Sequence, residues 1–368
     1  MDRGKKKGNF LGMTNNKIYM DLKDIIRECA LVYLPAKSLM RFKSVCRDWK
    51  LQISSPFFAH NQSQCSCAVV GVFCQSSGEP PLLVPFDAKS CGVPDPHLSF
   101  LPEPVEIRSS SNGLLCCQSS SSAQKSYYIC NPATKQWKKL PKPNADHGSS
   151  TAIALLFEPS LLNFIPEYKV VCAFRSNDFE DGTEFEIYNS VDNSWKIAGE
   201  ILFKRLRPIT STAVCVNNVI HWSLGAGHVL SYDPVKDRSK CFFQPHHHGY
   251  HSDCNGLLGN VNGELASVRS NGNSIYLSVM EDAHTNAMPM DYYGYGAQRL
   301  NKKNVSDYVV SVAHQKVVFV CGEGVVFQVG DKLSLLSLRD HTTKELMNLV
   351  GGSEKRSFVP YVNSLVSI

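Results

Sequence analysis

The spacing of apolar positions changes character near residue 66. Before it, Leu22, Ile25, Ile26, Cys29 and Ala30 recur at steps of three and four residues, which is one face of an α-helix. Leu34-Pro35 marks a boundary, since proline suits the start of a new helix. Leu39, Phe42, Val45, Cys46, Trp49 and Ile53 then form a second helical stripe, with Arg41, Lys43, Arg47 and Lys50 off it. Ser54-Ser55-Pro56 stops that stripe, because proline cannot continue the hydrogen-bond ladder. The pattern predicts about three short helices over residues 18–64, after a polar start (1–17) expected to be disordered. Such a unit is small enough to want a partner or a neighbouring domain.

From residue 66 onward the helical period gives way to short β-rich runs separated by Gly, Asn, Asp, Ser and Pro. Four segments align without gaps: "YICNPATKQWKKL", "EIYNSVDNSWKIA", "LSYDPVKDRSKCF" and "SLLSLRDHTTKEL". Each reads as strand, tight polar turn, strand, with Asn131, Asn189, Asp233 and Ser337 opening the turn. Trp137 and Trp195 start their return strands, where a large aromatic can cover a neighbouring sheet. The four anchors lie 58, 44 and 104 residues apart. The last step is twice the others, so a copy is hidden, with "IYLSVMEDAHTNAM" and its Glu281 the candidate. A unit of about 50 residues is propeller spacing, and residues 65–368 have room for about six. A closed ring of antiparallel blades leaves few exposed edges, which favours it over an open sheet. The expected fold is thus a small all-α unit followed by an all-β domain, a six-bladed propeller-like ring.

Charge separates the two parts. Residues 1–64 hold 12 Lys and Arg against 5 Asp and Glu; the remainder holds 26 against 28. The helical unit should therefore meet something acidic. No apolar leader precedes the 14 cysteines, and "TAIALLFEPSLLNFI" is broken by Glu158 and Pro159 before it could span a bilayer. The expectation is an intracellular chain with reduced thiols, in the nucleus or cytoplasm, without a membrane role. A nucleic-acid partner is not expected, because the basic residues interleave with an apolar stripe and not with stacking aromatics.

"YLPAKSLMRFKSVCRDWKLQISSPFFAH" resembles the F-box of the large plant families: Leu34-Pro35, Lys37-Ser38-Leu39, Arg41-Phe42, Val45-Cys46, Trp49 and Ile53-Ser54-Ser55-Pro56-Phe57 match at fixed spacing. "NGLLCC…YYICNPATKQWKKLP", "YKVVCAF…FEIYNSVDNSWK", "AVCVNNVIHWSL…VLSYDP" and "FVPYVNSLVSI" are similar to the plant F-box-associated domain. Kelch repeats carry a Gly-Gly doublet in each unit; Gly351-Gly352 is the single one here, so kinship with kelch is architectural. The resemblance implies a non-catalytic substrate receptor of an SCF-type ubiquitin ligase. A Skp-type adaptor, and through it a cullin scaffold, would bind the F-box at Ile25, Ile26, Leu34, Pro35, Leu39, Phe42, Val45 and Trp49. A protein target would bind the ring through loops. The candidates are 157–168, 242–254 and 282–302, with Tyr250, Tyr292, Tyr293 and Tyr295 as interface-type residues. The alternative is a protein- or glycan-binding module whose helical unit does not join a ligase.

Other chemistry finds little support. No Walker loop, G-x-G-x-x-G or G-x-S-x-G is present, so no cofactor is expected, and Glu184/Glu186 have no second acid in catalytic context. His246, His247, His248, His251, Asp253 and Cys254 crowd one loop without the paired spacing of a metal site. Cys116-Cys117 reads as alternating strand positions.

Overall fold

The computed structural model describes residues 25–65, 68–76, 78–88, 92–120, 125–148, 150–159, 164–203, 213–225, 227–244, 256–270, 275–280, 302–303, 315–349 and 356–368. Its first elements are a wide helical turn (Ile26–Ala30) and a 3-10 turn (Leu31–Tyr33). Three α-helices follow: α1 (Ala36–Phe42), α2 (Arg47–Ile53) and α3 (Pro56–Cys65). Pro35 stands just ahead of α1 and its carbonyl accepts from Ser38 N at 2.9 Å. The stripe from Leu39 to Ile53 is not one helix. The chain turns over residues 43–45, and Cys46 restarts it, its Sγ accepting from Trp49 N at 3.4 Å. The three-and-four spacing survives the break because both helices turn their apolar faces to one core. Ser54-Ser55-Pro56 ends α2 as predicted and also opens α3: Ser55 Oγ accepts from Phe58 N at 3.2 Å, an N-cap followed by proline at the first helical position.

The remainder is a six-bladed β-propeller. The chain enters through β1 (Val69–Ser76) and β2 (Leu82–Pro85). The first blade is β3 (Val105–Ser111), β4 (Leu114–Ser119), β5 (Tyr127–Asn131) and β6 (Gln136–Lys139). The second is β7 (Ala152–Phe157), β8 (Tyr168–Arg175), β9 (Gly182–Asn189) and β10 (Ser194–Phe203). The third is β11 (Val214–Val216), β12 (Val219–Gly225), β13 (His228–Asp233) and β14 (Arg238–Phe243). The fourth is β15 (Leu257–Val261), β16 (Glu264–Ser270), β17 (Ile275–Met280) and β18 (Lys302–Lys303). The fifth is β19 (Gln315–Val320), β20 (Gly324–Val329), β21 (Lys332–Ser337) and β22 (Thr343–Asn348). Last, β23 (Arg356–Val362) pairs antiparallel with β1, giving the three-stranded closing blade β2-β1-β23. The inner strands β3, β7, β11, β15, β19 and β23 touch in cyclic order, so no inner edge is left open.

The four aligned hairpins are the third and fourth strands of the first, second, third and fifth blades. Their turns are alike in detail. The anchor side chain accepts from the backbone N–H two residues on: Asn131 from Ala133, Asn189 from Val191, Asp233 from Val235 and Ser337 from Arg339. Four residues past each anchor the backbone is left-handed, at Lys135, Asn193, Asp237 and His341. The hidden copy falls in the fourth blade, where β17 occupies the third-strand place; Glu281 lies outside the described residues. Asn112-Gly113, Asn217-Asn218 and Asn262-Gly263 turn the first strand into the second, all at positive φ.

Alternating side chains fill the six seams between blades. Cys116 and Cys117 are both fully buried and face opposite seams, as alternation requires. Trp195 covers its neighbour: its Nε1 donates to Pro141 O at 2.8 Å and its ring meets Tyr127 at 5.5 Å. Trp137 does not. It stays half-exposed and packs on Tyr128 of its own blade.

Candidate functional site: the helical unit and its seat on the ring

The core of the helical unit is Leu31, Ala36, Leu39, Ile53, Phe58 and Ala59, and it is completed by Ala133 and Leu365 from the ring domain. This sorts the expected adaptor contacts. Ile25 (44 % exposed) and Val45 (61 %) face outward. Ile26, Leu34, Pro35, Phe42 and Trp49 are half-buried, with the Phe42 and Trp49 rings 5.3 Å apart. Leu39 is fully buried, so it supports the surface from beneath and offers no area of its own. Tyr33 (70 % exposed), Leu51 (63 %) and Phe57 (58 %) are outward-facing apolar residues absent from the expected set. The sequence does carry a signal for them: an apolar residue off the core stripe of a short helix has no internal neighbour to cover it. Arg41, Arg47 and Lys50 are exposed on the same unit. Half-buried Lys43 has its pKa lowered by desolvation and by Lys50 nearby.

The unit sits on the ring through residues 363–368, which leave β23 and run between α3 and the first blade. Gln62 of α3 is fully buried and uses both ends of its amide: Nε2 donates to Asn363 O at 3.3 Å, and Oε1 accepts from Leu365 N at 3.0 Å. Asn131 Nδ2 donates to Ser364 O and Val366 O. Ser364 Oγ donates to Asn112 O at 2.9 Å, beside Gly113. Gly113 has φ +91°, and a Cβ there would lie 2.1 Å from Ser364 Oγ. Gly113→Ala is therefore expected to cost more than about 1 kcal/mol, through left-handed strain and displacement of this strand of chain, read as a lowered urea midpoint. A second contact comes from the residues that lead into β8. Phe164 packs edge-on against Phe57 (5.5 Å) and His60 (5.2 Å) of α3. Part of the candidate target loop 157–168 is thus engaged by the helical unit, although Ile165 remains exposed.

The ends of the inner strands and the first turns of the blades enclose a cavity of about 600 Å³ at the mouth of the central channel. All six blades contribute, among them Asn112, Glu158, Cys215, Asn260, Glu323 and Val362. Elsewhere a buried relay links the first two blades. Tyr127 Oη lies 2.8 Å from His147 Nδ1, and His147 Nε2 lies 2.7 Å from Glu186 Oε2. Glu186 also accepts from Asn144 N and Ala145 N. Burial pushes the Tyr127 hydroxyl far up, so it stays protonated; with Nε2–H given to Glu186, a neutral His147 ring accepts from that hydroxyl at Nδ1. Burial opposes the Glu186 charge, but the bonds from His147, Asn144 and Ala145 outweigh it and hold the carboxyl below its ordinary value. All three side chains are buried, so the relay has no access to a substrate and acts as a latch.

Tyr250, Tyr292, Tyr293, Tyr295 and the histidine-rich cluster lie outside the described residues. Among the described residues no group of three His, Cys, Asp or Glu could hold a metal ion, and no helix is long and apolar enough to cross a membrane.

A helical unit seated on a six-bladed ring defines the class of protein. The signature of the F-box associated beta propeller domain matches residues 93–368, and the chain belongs to that family. It is 32% identical to the F-box protein At5g49610 of Arabidopsis thaliana over 223 residues, 56% of this chain and 60% of that protein. It is 27% identical to the F-box protein At5g07610 of the same plant over 271 residues, 67% of this chain and 61% of that protein. The chain thus spans about three fifths of the length of these relatives. Among solved structures, TolB from Acinetobacter baumannii overlaps with a TM-score of 0.43 at 13% identity, covering 79% of this chain and 66% of that chain.

Proposed function

We propose that this chain is the substrate-recognition subunit of an SCF-type ubiquitin ligase, acting in the nucleus or cytoplasm. Residues 18–64 serve as the F-box that binds a Skp-type adaptor and, through it, a cullin scaffold; residues 65–368 hold a protein target. The supporting observation is the apolar surface left outside the helical unit, at Ile25, Tyr33, Val45, Leu51 and Phe57, beside a surplus of exposed basic residues. Such a surface suits an acidic partner with an apolar groove. The mechanism is positioning. The chemistry resides in other subunits, and tethering raises the target's concentration near the charged ubiquitin. Leu39 drops out of the docking set, and Tyr33, Leu51 and Phe57 join it. Co-expression with a Skp-type adaptor should yield a stoichiometric complex on size-exclusion chromatography. A chain that elutes alone, folded, rejects the ligase reading in favour of a binding module.

A further inference from the structure

A second cavity, of about 420 Å³, opens between the closing and first blades. Its lining includes the ends of β1 and β4 and the start of β3, so it lies at the opposite face of the ring from the channel mouth and the helical unit. Its walls are two proline-bearing segments, Pro80-Pro81 and Pro102 with Pro104, floored by Leu98, Leu101 and Val105. The walls are held from behind. Gln75 Nε2 donates to Val105 O at 2.8 Å, and its Oε1 accepts from Ile107 N at 2.9 Å. His97 Nδ1 lies 3.1 Å from Pro81 O, Leu83 N donates to Pro96 O at 3.2 Å, and Tyr128 Oη donates to Glu103. A site so fixed loses little entropy when it is filled.

The charge of this cavity is one-sided. Prolines have no N–H to offer. The Gln75 amide is used at both ends, Ser99 Oγ donates to Asp95 Oδ1, and the Tyr128 hydroxyl is committed to Glu103. The carbonyl of Pro81 can only accept, so His97 donates from Nδ1, leaving Nε2 an acceptor when the ring is neutral. Two carboxylates, Glu79 and Glu103, line the cavity, and among the described residues no Lys or Arg does. An adjoining cavity of about 410 Å³ shares Glu79, Pro80 and His97 and extends the groove to Met347, Leu349 and Arg356.

We propose that this groove takes an extended peptide segment carrying an arginine or lysine, whose charged head lies between Glu79 and Glu103 and whose aliphatic stem lies along the prolines. A positively charged ligand group complements Glu79 and Glu103 in the 420 Å³ cavity, with Arg356 lying in the adjoining one, and a long basic side chain also brings apolar stem to apolar wall. Resting on the receptor reading above, the inference names the chemistry of the target: a basic, extended stretch, recognised on the face away from the adaptor.

The test is selection of a random decapeptide phage library on the full chain, followed by fluorescence anisotropy of the selected peptides with the wild type and with Glu79→Gln/Glu103→Gln. The glutamines keep the shape and an acceptor for Tyr128. The expected result is enrichment of arginine or lysine at one position, and binding to the double variant weaker by at least about tenfold. Selected peptides without a basic residue, peptides that bind both proteins equally, or a selection that retains nothing would each overturn it. Unchanged circular dichroism and thermal midpoint establish that the double variant is folded. The selection contains no adaptor, so its failure leaves adaptor capture standing, and failed adaptor capture leaves this result standing.

Discussion

Glu186→Ala will destabilise the ring by about 3–5 kcal/mol, the cost of stripping a buried charge from its partners. The carboxylate is fully buried and receives three bonds, from His147 Nε2 at 2.7 Å, Asn144 N at 2.9 Å and Ala145 N at 3.2 Å. Removing it leaves three donors without an acceptor between the first two blades and opens a cavity beside Trp195. Guanidinium unfolding followed by tryptophan fluorescence reads the loss. The pH dependence follows from the same bonds. The folded-state pKa of Glu186 lies below its ordinary value of 4.5, so its contribution is fully present above about pH 4.5 and is lost as pH falls through the lower, folded value. The wild type should lose stability on acidification across that window, and Glu186→Gln should show a flatter profile there. Equal acid sensitivity of the two proteins would dismiss the latch.

Val45→Asp/Leu51→Asp should weaken adaptor binding by about a hundredfold or more while leaving the fold intact. Buried apolar anchors at the centre of an interface are each worth about 2 kcal/mol or more, and a carboxylate there adds desolvation without a partner. Both side chains are more than half exposed in the free chain, so the change in stability should stay within about 0.5 kcal/mol. Surface plasmon resonance with a Skp-type adaptor, paired with a thermal melt, separates the two effects. Leu39→Asp is the contrasting case. It should unfold the helical unit, since Leu39 is fully enclosed by that unit's own core. Retained affinity in the exposed double variant would place the adaptor elsewhere.

Local chemistry makes the ring legible in the sequence. A turn needs only its own residues: an Asn, Asp or Ser that bonds the N–H two positions on, then a left-handed residue at the fourth position. That is why the four hairpins align without gaps and why their spacing gives the blade count. The same locality explains Cys116 and Cys117, whose opposite seams follow from the two-residue period of a strand. The helical stripe misleads in one respect. Three-and-four spacing is kept when two helices share a core, so the turn at residues 43–45 leaves no mark on the period.

Sequence by itself determined the repeat, the strand alternation, the helical unit and its surplus of positive charge, because each depends on neighbours within a few residues. Only the tertiary structure decided which side chains act across the ring. Gln62 meets residues 363 and 365, Glu186 meets residues 144, 145 and 147, and β23 returns to close the blade begun by β1 and β2. These pairs are separated by tens to hundreds of residues, and no local pattern encodes the partner of a buried amide or carboxylate. Burial made them obligatory, since a polar group taken out of water must find a partner wherever the fold supplies one.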